Sequence, residues 1–213
     1  EFGVMRTQLV GSMLNSVYVN TSRKNNDFRL FEIARTYIPK SLPLTELPEE
    51  HDTLCVAFVG KNEDFYALKS VVGNVLKNRV KLTIERSNEP FLHSGISIDL
   101  FEGGKKFGYV GKIHPTVAEN FGIPEDVYVA EIDLSGFIFD AEKIVRFKPL
   151  PKFPIVDRDL AVTVKESCTV GELIACIRES IGELCESVEL FDVYQGEQIE
   201  SGFKSVAFSI KLY

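Results

Sequence analysis

Residues 95–113 read GISIDLFEGGKKFGYVGKI. Two apolar-polar segments, Gly95–Phe101 and Lys105–Ile113, flank Glu102-Gly103-Gly104, and a short Gly-Gly link between strand-like runs is a hairpin signal. A hairpin is antiparallel by construction, so this stretch starts an antiparallel sheet rather than a βαβ unit. Upstream, Val80–Glu85 alternates Val80, Leu82 and Ile84 as a strand does. Before it, Asp64 is placed to cap a helix whose Phe65, Leu68, Val71, Val72, Val75 and Leu76 form one apolar stripe. Thr53–Val59 is a short apolar run, read as a buried strand; Pro39, Pro43 and Pro48 mark a loop, and Phe28–Ile38 reads as a strand. Leu9, Met13, Leu14 and Val17 recur at helical spacing within Thr7–Thr21. Downstream, His114-Pro115 opens a short helix that ends at Gly122, and Val127–Leu134 is another strand.

A composition shift follows. Residues 141–153 are basic and carry or adjoin Pro149, Pro151 and Pro154, which places a linker at 141–152 between domains at 1–140 and 153–213. Beyond it, Asp159–Val164 is a strand. Thr169-Val170-Gly171-Glu172 has capping-box spacing, and the helix it opens puts Val170, Leu173, Ile174, Ile177 and Ile181 on one face. Two further strands, Cys185–Tyr194 and Gly202–Leu212, are joined by a turn around Gln195-Gly196. The order strand, helix, strand, strand is a ferredoxin-like unit short of one helix and one strand. On that reading the Gly202–Tyr213 strand is an open edge through which copies could pair.

The 213 residues suffice for two ordinary domains, and 45% apolar with 26% charged residues is usual for a globular protein. No apolar run approaches the roughly 18–20 residues of a membrane span, and nothing at the start reads as a signal peptide. The chain opens Glu1-Phe2-Gly3-Val4 without an initiator Met, which reads as a piece of a longer polypeptide. Cys55, Cys168, Cys176 and Cys185 form no CxxC and no zinc-like pairing with His51, His93 or His114, so they read as reduced, buried thiols. Net charge is −7, unlike a free-standing nucleic-acid binder, which displaces counterions with a basic surface. The charge is also uneven. Five bases (Lys143, Arg146, Lys148, Lys152, Arg158) meet one acid, Asp157, whereas Glu166–Glu200 holds nine acids and one base, Arg178.

Several segments, in order, resemble one family. They are residues 5–14 (MRTQLVGSML), residues 25–37 (NNDFRLFEIARTY), Gly111-Lys112-Ile113-His114-Pro115, Phe153-Pro154, residues 158–162 (RDLAV), residues 188–196 (VELFDVYQG) and residues 204–208 (KSVAF). Together they resemble the beta subunit of bacterial-type phenylalanyl-tRNA synthetase over nearly the whole chain, as a C-terminal fragment. The resemblance implies an α+β chain. Its first part is a class II aminoacyl-tRNA synthetase-like antiparallel sheet with helices. Its second is an incomplete ferredoxin-like βαββ unit belonging to an anticodon-binding domain. It also implies a cytoplasmic location, an alpha subunit as partner in an (αβ)2 tetramer, tRNA(Phe) as the nucleic acid, and ATP and Mg2+ as requirements of the whole enzyme rather than of this part.

Class II chemistry holds ATP phosphates with fixed cations while the amino-acid carboxylate attacks. The family supplies one arginine at a Phe/Tyr-Arg-x-Glu strand end. Here Leu30–Tyr37 is followed by Ile38, Pro39 and Lys40, so Ile38 stands at the arginine position and Lys40 at the acid. The second arginine belongs near residues 128–139, where Glu131-Ile132-Asp133-Leu134-Ser135-Gly136-Phe137 contains none. Loss of one such donor costs about 2.7–4 kcal/mol in rate, so the module reads as catalytically inert, with no catalytic and no metal-binding residue. Arg29, Glu32 and Arg35 read as ion-pair formers, Arg6 as a buried structural arginine and His114 as a cap. Glu49-Glu50 and Asp157/Asp159 read as solvated surface.

For RNA, ferredoxin-like sheets offer aromatic platforms on which unpaired bases stack. Among Phe191, Tyr194, Phe203, Phe208 and Tyr213, the candidates are Phe191, Tyr194 and Phe208, with Arg158 and Lys204 as nearby cations. Strand alternation puts Phe191 and Val193 on one face and Tyr194 on the other. The acidic excess implies weak RNA binding by the isolated chain. Two other readings are open on sequence: a ligase paralogue that retains ATP or adenylate binding, and a free-standing RNA-binding or adaptor protein.

Overall fold

A computed structural model describes residues 4–76, 82–136, 154–196 and 198–213. The expected linker at 141–152 and the basic residues Lys143, Arg146, Lys148 and Lys152 lie outside the described residues, as does Val80. The chain divides into two compact units, Glu1–Ile144 and Val145–Tyr213.

The first unit runs α1 (Val10–Ser22), β1 (Phe28–Ile38), β2 (Glu49–Val59), α2 (Phe65–Leu76), β3 (Leu82–Arg86), β4 (Leu92–Glu102), β5 (Lys105–Ile113), α3 (Pro115–Asn120) and β6 (Val127–Asp133). Its six strands form one antiparallel sheet in the order β1-β2-β6-β5-β4-β3. The Glu102-Gly103-Gly104 turn joins β4 to β5 as a hairpin. Glu102 pairs with Lys105, and Gly103 and Gly104 take φ of +57° and +81°, which a two-residue hairpin of this hand requires and which glycine adopts without a Cβ clash.

β2 and β6 are central and covered on both faces, so their apolar residues run without alternation. Cys55, Ala57 and Val59 of β2 pack with Val127 and Val129 of β6 against Leu9, just ahead of α1, and Met13, Leu14 and Val17 within it. Leu54, Val56 and Phe58 pack on the other face with Ala130, Ile132 and the α2 residues Leu68, Val72 and Leu76. Val75, expected in the α2 stripe, is exposed, because the buried row follows the 4-residue spacing 68, 72, 76. β2 begins four residues earlier than its apolar run, since the polar segment Glu49–Asp52 pairs with Arg35–Ile38 of β1.

The second unit runs β7 (Val156–Lys165), α4 (Val170–Ile181), β8 (Cys185–Tyr194) and β9 (Phe203–Leu212). Thr169 and Glu172 form the capping box: Thr169 Oγ1 accepts the Glu172 N–H and Glu172 Oε2 accepts the Thr169 N–H at 2.7 Å. The apolar face of α4 covers Val188, Val206, Phe208 and Ile210. The sheet order is β7-β9-β8, all antiparallel. This corrects the expected open edge: β9 is the central strand, with both sides paired, and the edges are β7 and β8. Chain order does not reveal that the last strand inserts between the first two.

Among the described residues no helix is long and apolar enough to cross a membrane. All four cysteines are free; only Cys55 is buried, and Cys176 is exposed, which corrects their reading as uniformly buried.

Candidate functional site

On the α1 face of the first unit, α1 covers one part of the sheet and leaves a cleft of about 300 Å3 beside its N-terminus. Its wall includes Thr36 and Ile38 of β1, His51 and Thr53 of β2, Lys106 and Tyr109 of β5, and Glu131 and Asp133 of β6. Three of the unit's buried polar side chains, Thr36, Thr53 and Glu131, lie on these strands.

Glu131 sits at the centre. Its Oε2 accepts the N–H of Leu9 at 3.0 Å, the N–H of Val10 at 2.9 Å and the hydroxyl of Tyr109 at 3.2 Å. Leu9 is the N-cap of α1 and supplies no side-chain cap, so Glu131 satisfies the helix's orphan donors from another element. Burial raises the Glu131 pKa despite these donors, and burial together with the Glu131 charge raises that of Tyr109. Thr36 and Thr53 share a hydroxyl–hydroxyl bond of 3.0 Å. His51 Nδ1 lies 2.7 Å from Asp133 Oδ2. Burial opposes ionisation of Asp133, but bonds from Ser135 and the contact with His51 outweigh it and hold its pKa below the usual value.

Lys106 is the cation nearest Tyr109 in the cleft, 6.0 Å from the ring centroid. Its ammonium is already engaged by Glu89 at 2.6 Å and Asp99 at 2.8 Å. Burial lowers its pKa, and the two carboxylates more than reverse that. Ile38 lines the cleft where the resemblance calls for a phosphate-binding arginine, and Lys40 turns to Glu46 at 3.5 Å. The cleft wall sets the carboxylates of Glu89, Glu131 and Asp133 beside Lys105, Lys106 and His51, and the acids weaken its attraction for a polyphosphate. These residues do not fit ATP phosphates. Among the described residues no group of three or more His, Cys, Asp or Glu could hold a metal ion.

Other charged residues singled out on sequence hold structure together. Arg6 pairs with Glu32 at 2.9 Å and is half-exposed, not buried. Arg29 pairs with Glu63 and lies over the Phe58 ring, and Arg35 pairs with Glu50 at 2.6 Å. Glu50 is exposed, as expected, and makes that pair at the surface. His114 caps α3 by accepting the Thr116 N–H. The capping role of Glu131 is not legible locally, since its partners are 122 and 121 residues away.

In the second unit the RNA candidates separate. Phe208 is fully buried under α4 and has no face to offer a base, which removes it from the set: it pairs with Leu160 and Leu190 in the row that points at the helix. Phe191 is 60% exposed and Tyr194 is 43% exposed. The strand register shifts between Leu190 and Asp192, so Phe191 is a bulge residue with no cross-strand partner and does not follow the alternation expected with Val193. Tyr194 pairs with Ser205 on the face away from α4. Its phenol folds over the following turn, where a Cβ added at Gly196 would push the ring aside. Arg158 is exposed and donates to the carbonyl of Asp157 at 3.0 Å; Lys204 donates to the carbonyl of Glu166 at 3.0 Å. The open sheet face also carries Asp157, Asp159, Glu189 and Asp192, all exposed, so an approaching phosphate chain meets acids there.

Residues 1–134 match the family model of the phenylalanyl tRNA synthetase beta chain CLM domain, and residues 151–213 match that of the ferredoxin-fold anticodon binding domain. The phenylalanine--tRNA ligase beta subunit of Clostridium tetani is 39% identical over 99% of this chain and 27% of its own length; that of Clostridium acetobutylicum is 37% identical over the same shares. The chain thus spans about a quarter of the length of these relatives. A pyrrolysyl tRNA synthetase of Desulfitobacterium hafniense is similar with a TM-score of 0.47 and 19% identity, over 61% of this chain and 47% of that one. A six-stranded antiparallel sheet flanked by helices, followed by a βαββ unit, meets both family models in order: the chain belongs to the phenylalanyl-tRNA synthetase beta chain family.

Proposed function

We propose that this chain is a non-catalytic part of a phenylalanine-tRNA ligase beta subunit. It supports alpha-beta assembly through residues 1–140 and engages the anticodon region of tRNA(Phe) through residues 153–213. ATP, Mg2+ and phenylalanine are used by the whole ligase, a cytoplasmic (αβ)2 enzyme, and not by this module. What supports the reading is the cleft: Ile38 lines it where the resemblance places an arginine, Glu89, Glu131 and Asp133 stand in its wall, and the half-buried Lys106 is tied to Glu89 and Asp99.

The relatives named as beta subunits of the same ligase support the assignment to a multi-subunit enzyme. For the RNA contact, Phe191, Tyr194, Arg158 and Lys204 are the proposed residues. Two exposed aromatics at one end of β8 supply stacking surface, worth about 1–3 kcal/mol per base. The decisive experiment is pyrophosphate exchange with ATP and phenylalanine, run on the purified chain alone and on an alpha-beta ligase that contains it. Exchange only in the complete ligase supports the reading, and exchange by the chain alone overturns it.

A further inference from the structure

The three acids in the cleft wall differ in what meets their charge. Asp133 is bonded to His51 and Ser135, and Glu89 to Lys106. Glu131 lacks any such partner: among the described residues no lysine, arginine or histidine lies within ion-pair distance of it. It is nevertheless only 7% exposed. Its three donors, the N–H groups of Leu9 and Val10 and the Tyr109 hydroxyl, all converge on Oε2. Oε1 accepts none of them and is not among the side-chain oxygens sealed from solvent, so the carboxylate keeps one free acceptor that opens on the cleft.

A carboxylate taken out of water favours a partner that returns both charge and hydrogen bonds. Burial pushes the Glu131 pKa up, the sign of a charge short of compensation. In the same wall the buried Thr36 and Thr53 hold hydroxyls 3.0 Å apart, each with lone pairs for a further donor. An anion does not fit there, because it would face Glu131 directly. A bare metal ion does not fit either, since among the described residues no three acids, histidines or cysteines gather to hold one. An ammonium group meets both demands, as a compact monocation with three N–H donors. At about 300 Å3 the cleft is at the small end of ligand pockets and suits a molecule of few atoms.

We propose that the cleft binds the ammonium group of a small primary amine, with Glu131 Oε1 as its counter-charge and Thr36 and Thr53 as neutral acceptors. A free amine and an amino acid share that group. Lys105 lines the same cleft, is exposed and makes no ion pair among the described residues, so it can meet the carboxylate of an amino acid and has nothing to meet in a free amine.

The test is titration of the chain with ethylammonium chloride, glycine and tetramethylammonium chloride at matched ionic strength, read by NMR at the Leu9 and Val10 amides. Ethylammonium is expected to shift both resonances saturably, with a Kd on the order of 1–10 mM, near the ceiling for so few atoms. Glu131→Gln keeps a carbonyl oxygen for the three donors but turns an amide NH2 on the cleft, and it should weaken binding at least about tenfold. Should that variant unfold, Gln8→Trp decides: Gln8 is exposed at the cleft, and an indole there obstructs the opening and should abolish the shift. Glycine binding that Lys105→Ala weakens, with ethylammonium binding unchanged, supports the site and names an amino acid as its ligand. Ethylammonium binding without glycine binding supports it and names a free amine. Equal shifts by tetramethylammonium, which has no N–H to donate, overturn the proposal. A response that stays linear in concentration overturns it too, as does undiminished binding by a folded Glu131→Gln or Gln8→Trp chain.

Discussion

Glu131 caps a helix whose N-cap, Leu9, lies 122 residues earlier in the chain, taking the Leu9 N–H at 3.0 Å with the same oxygen that accepts the Tyr109 hydroxyl. One carboxylate thus fixes the end of α1 against the centre of the sheet and occupies the floor of the cleft.

Removing that carboxylate strands two backbone donors and a phenol in a buried setting. Glu131→Ala is expected to destabilise the first unit by about 3–5 kcal/mol, the range for breaking a buried charged partner, whereas Tyr109→Phe costs about 1 kcal/mol because the carboxylate keeps its two backbone donors. Urea denaturation followed by circular dichroism reads both. A loss below 1 kcal/mol for Glu131→Ala would refute the capping role.

Acid sensitivity follows from Asp133. Its folded pKa lies below the unfolded carboxylate value of about 3.9, so its stabilisation is complete above that value and is lost as pH falls through the lower folded pKa. Asp133→Asn should cost about 1–2 kcal/mol at pH 7 and progressively less below pH 4. Denaturation curves at both ends of that window check it, and an equal cost at pH 7 and pH 3 would contradict the assignment.

Phe208 and Phe191 should behave in opposite ways. Phe208→Ala empties the space under α4 and is expected to cost about 3–5 kcal/mol in the second unit. Phe191→Ala removes an exposed side chain and should stay within about 0.5 kcal/mol while weakening tRNA(Phe) binding by the assembled ligase about five- to tenfold. Filter binding at fixed salt, beside thermal melts, separates the two effects. Unchanged RNA affinity would remove Phe191 from the proposed contact.

The capping box gives a smaller, cleaner test. Thr169→Ala should lower the stability of the second unit by about 1 kcal/mol, and Thr169→Ser should restore most of it, since serine keeps the hydroxyl that accepts the Glu172 N–H. The readout is the midpoint of chemical denaturation at constant slope.

Putting an arginine back is not expected to restore catalysis. Ile38→Arg returns one cation to the strand end, but Glu89, Glu131 and Asp133 remain in the wall and Lys106 stays engaged. Calorimetric titration with ATP and Mg2+ should give no saturable heat for either the unmodified chain or the variant. Saturable binding by the variant would mean that a single lost guanidinium had silenced the site.

Much of the architecture was legible because its signals are local. The span of β1, the Gly103-Gly104 turn, the Thr169 box and the apolar stripe of α4 each depend on residues within a turn or a pleat of one another. What misread was whatever a distant partner alters: the start of α1 moved from Thr7 to Val10, and β2 lengthened through polar residues that β1 recruits.

By itself the sequence determined the elements, their faces and the family, since backbone propensity and side-chain periodicity are set by near neighbours. Only the tertiary structure decided that Glu131 closes α1, that β9 lies between β7 and β8, that a bulge turns Phe191 outward and that Phe208 is lost to the core. Each of those outcomes depends on the register and closure of strands far apart in the chain, and period-two alternation carries no information about which strand becomes the neighbour.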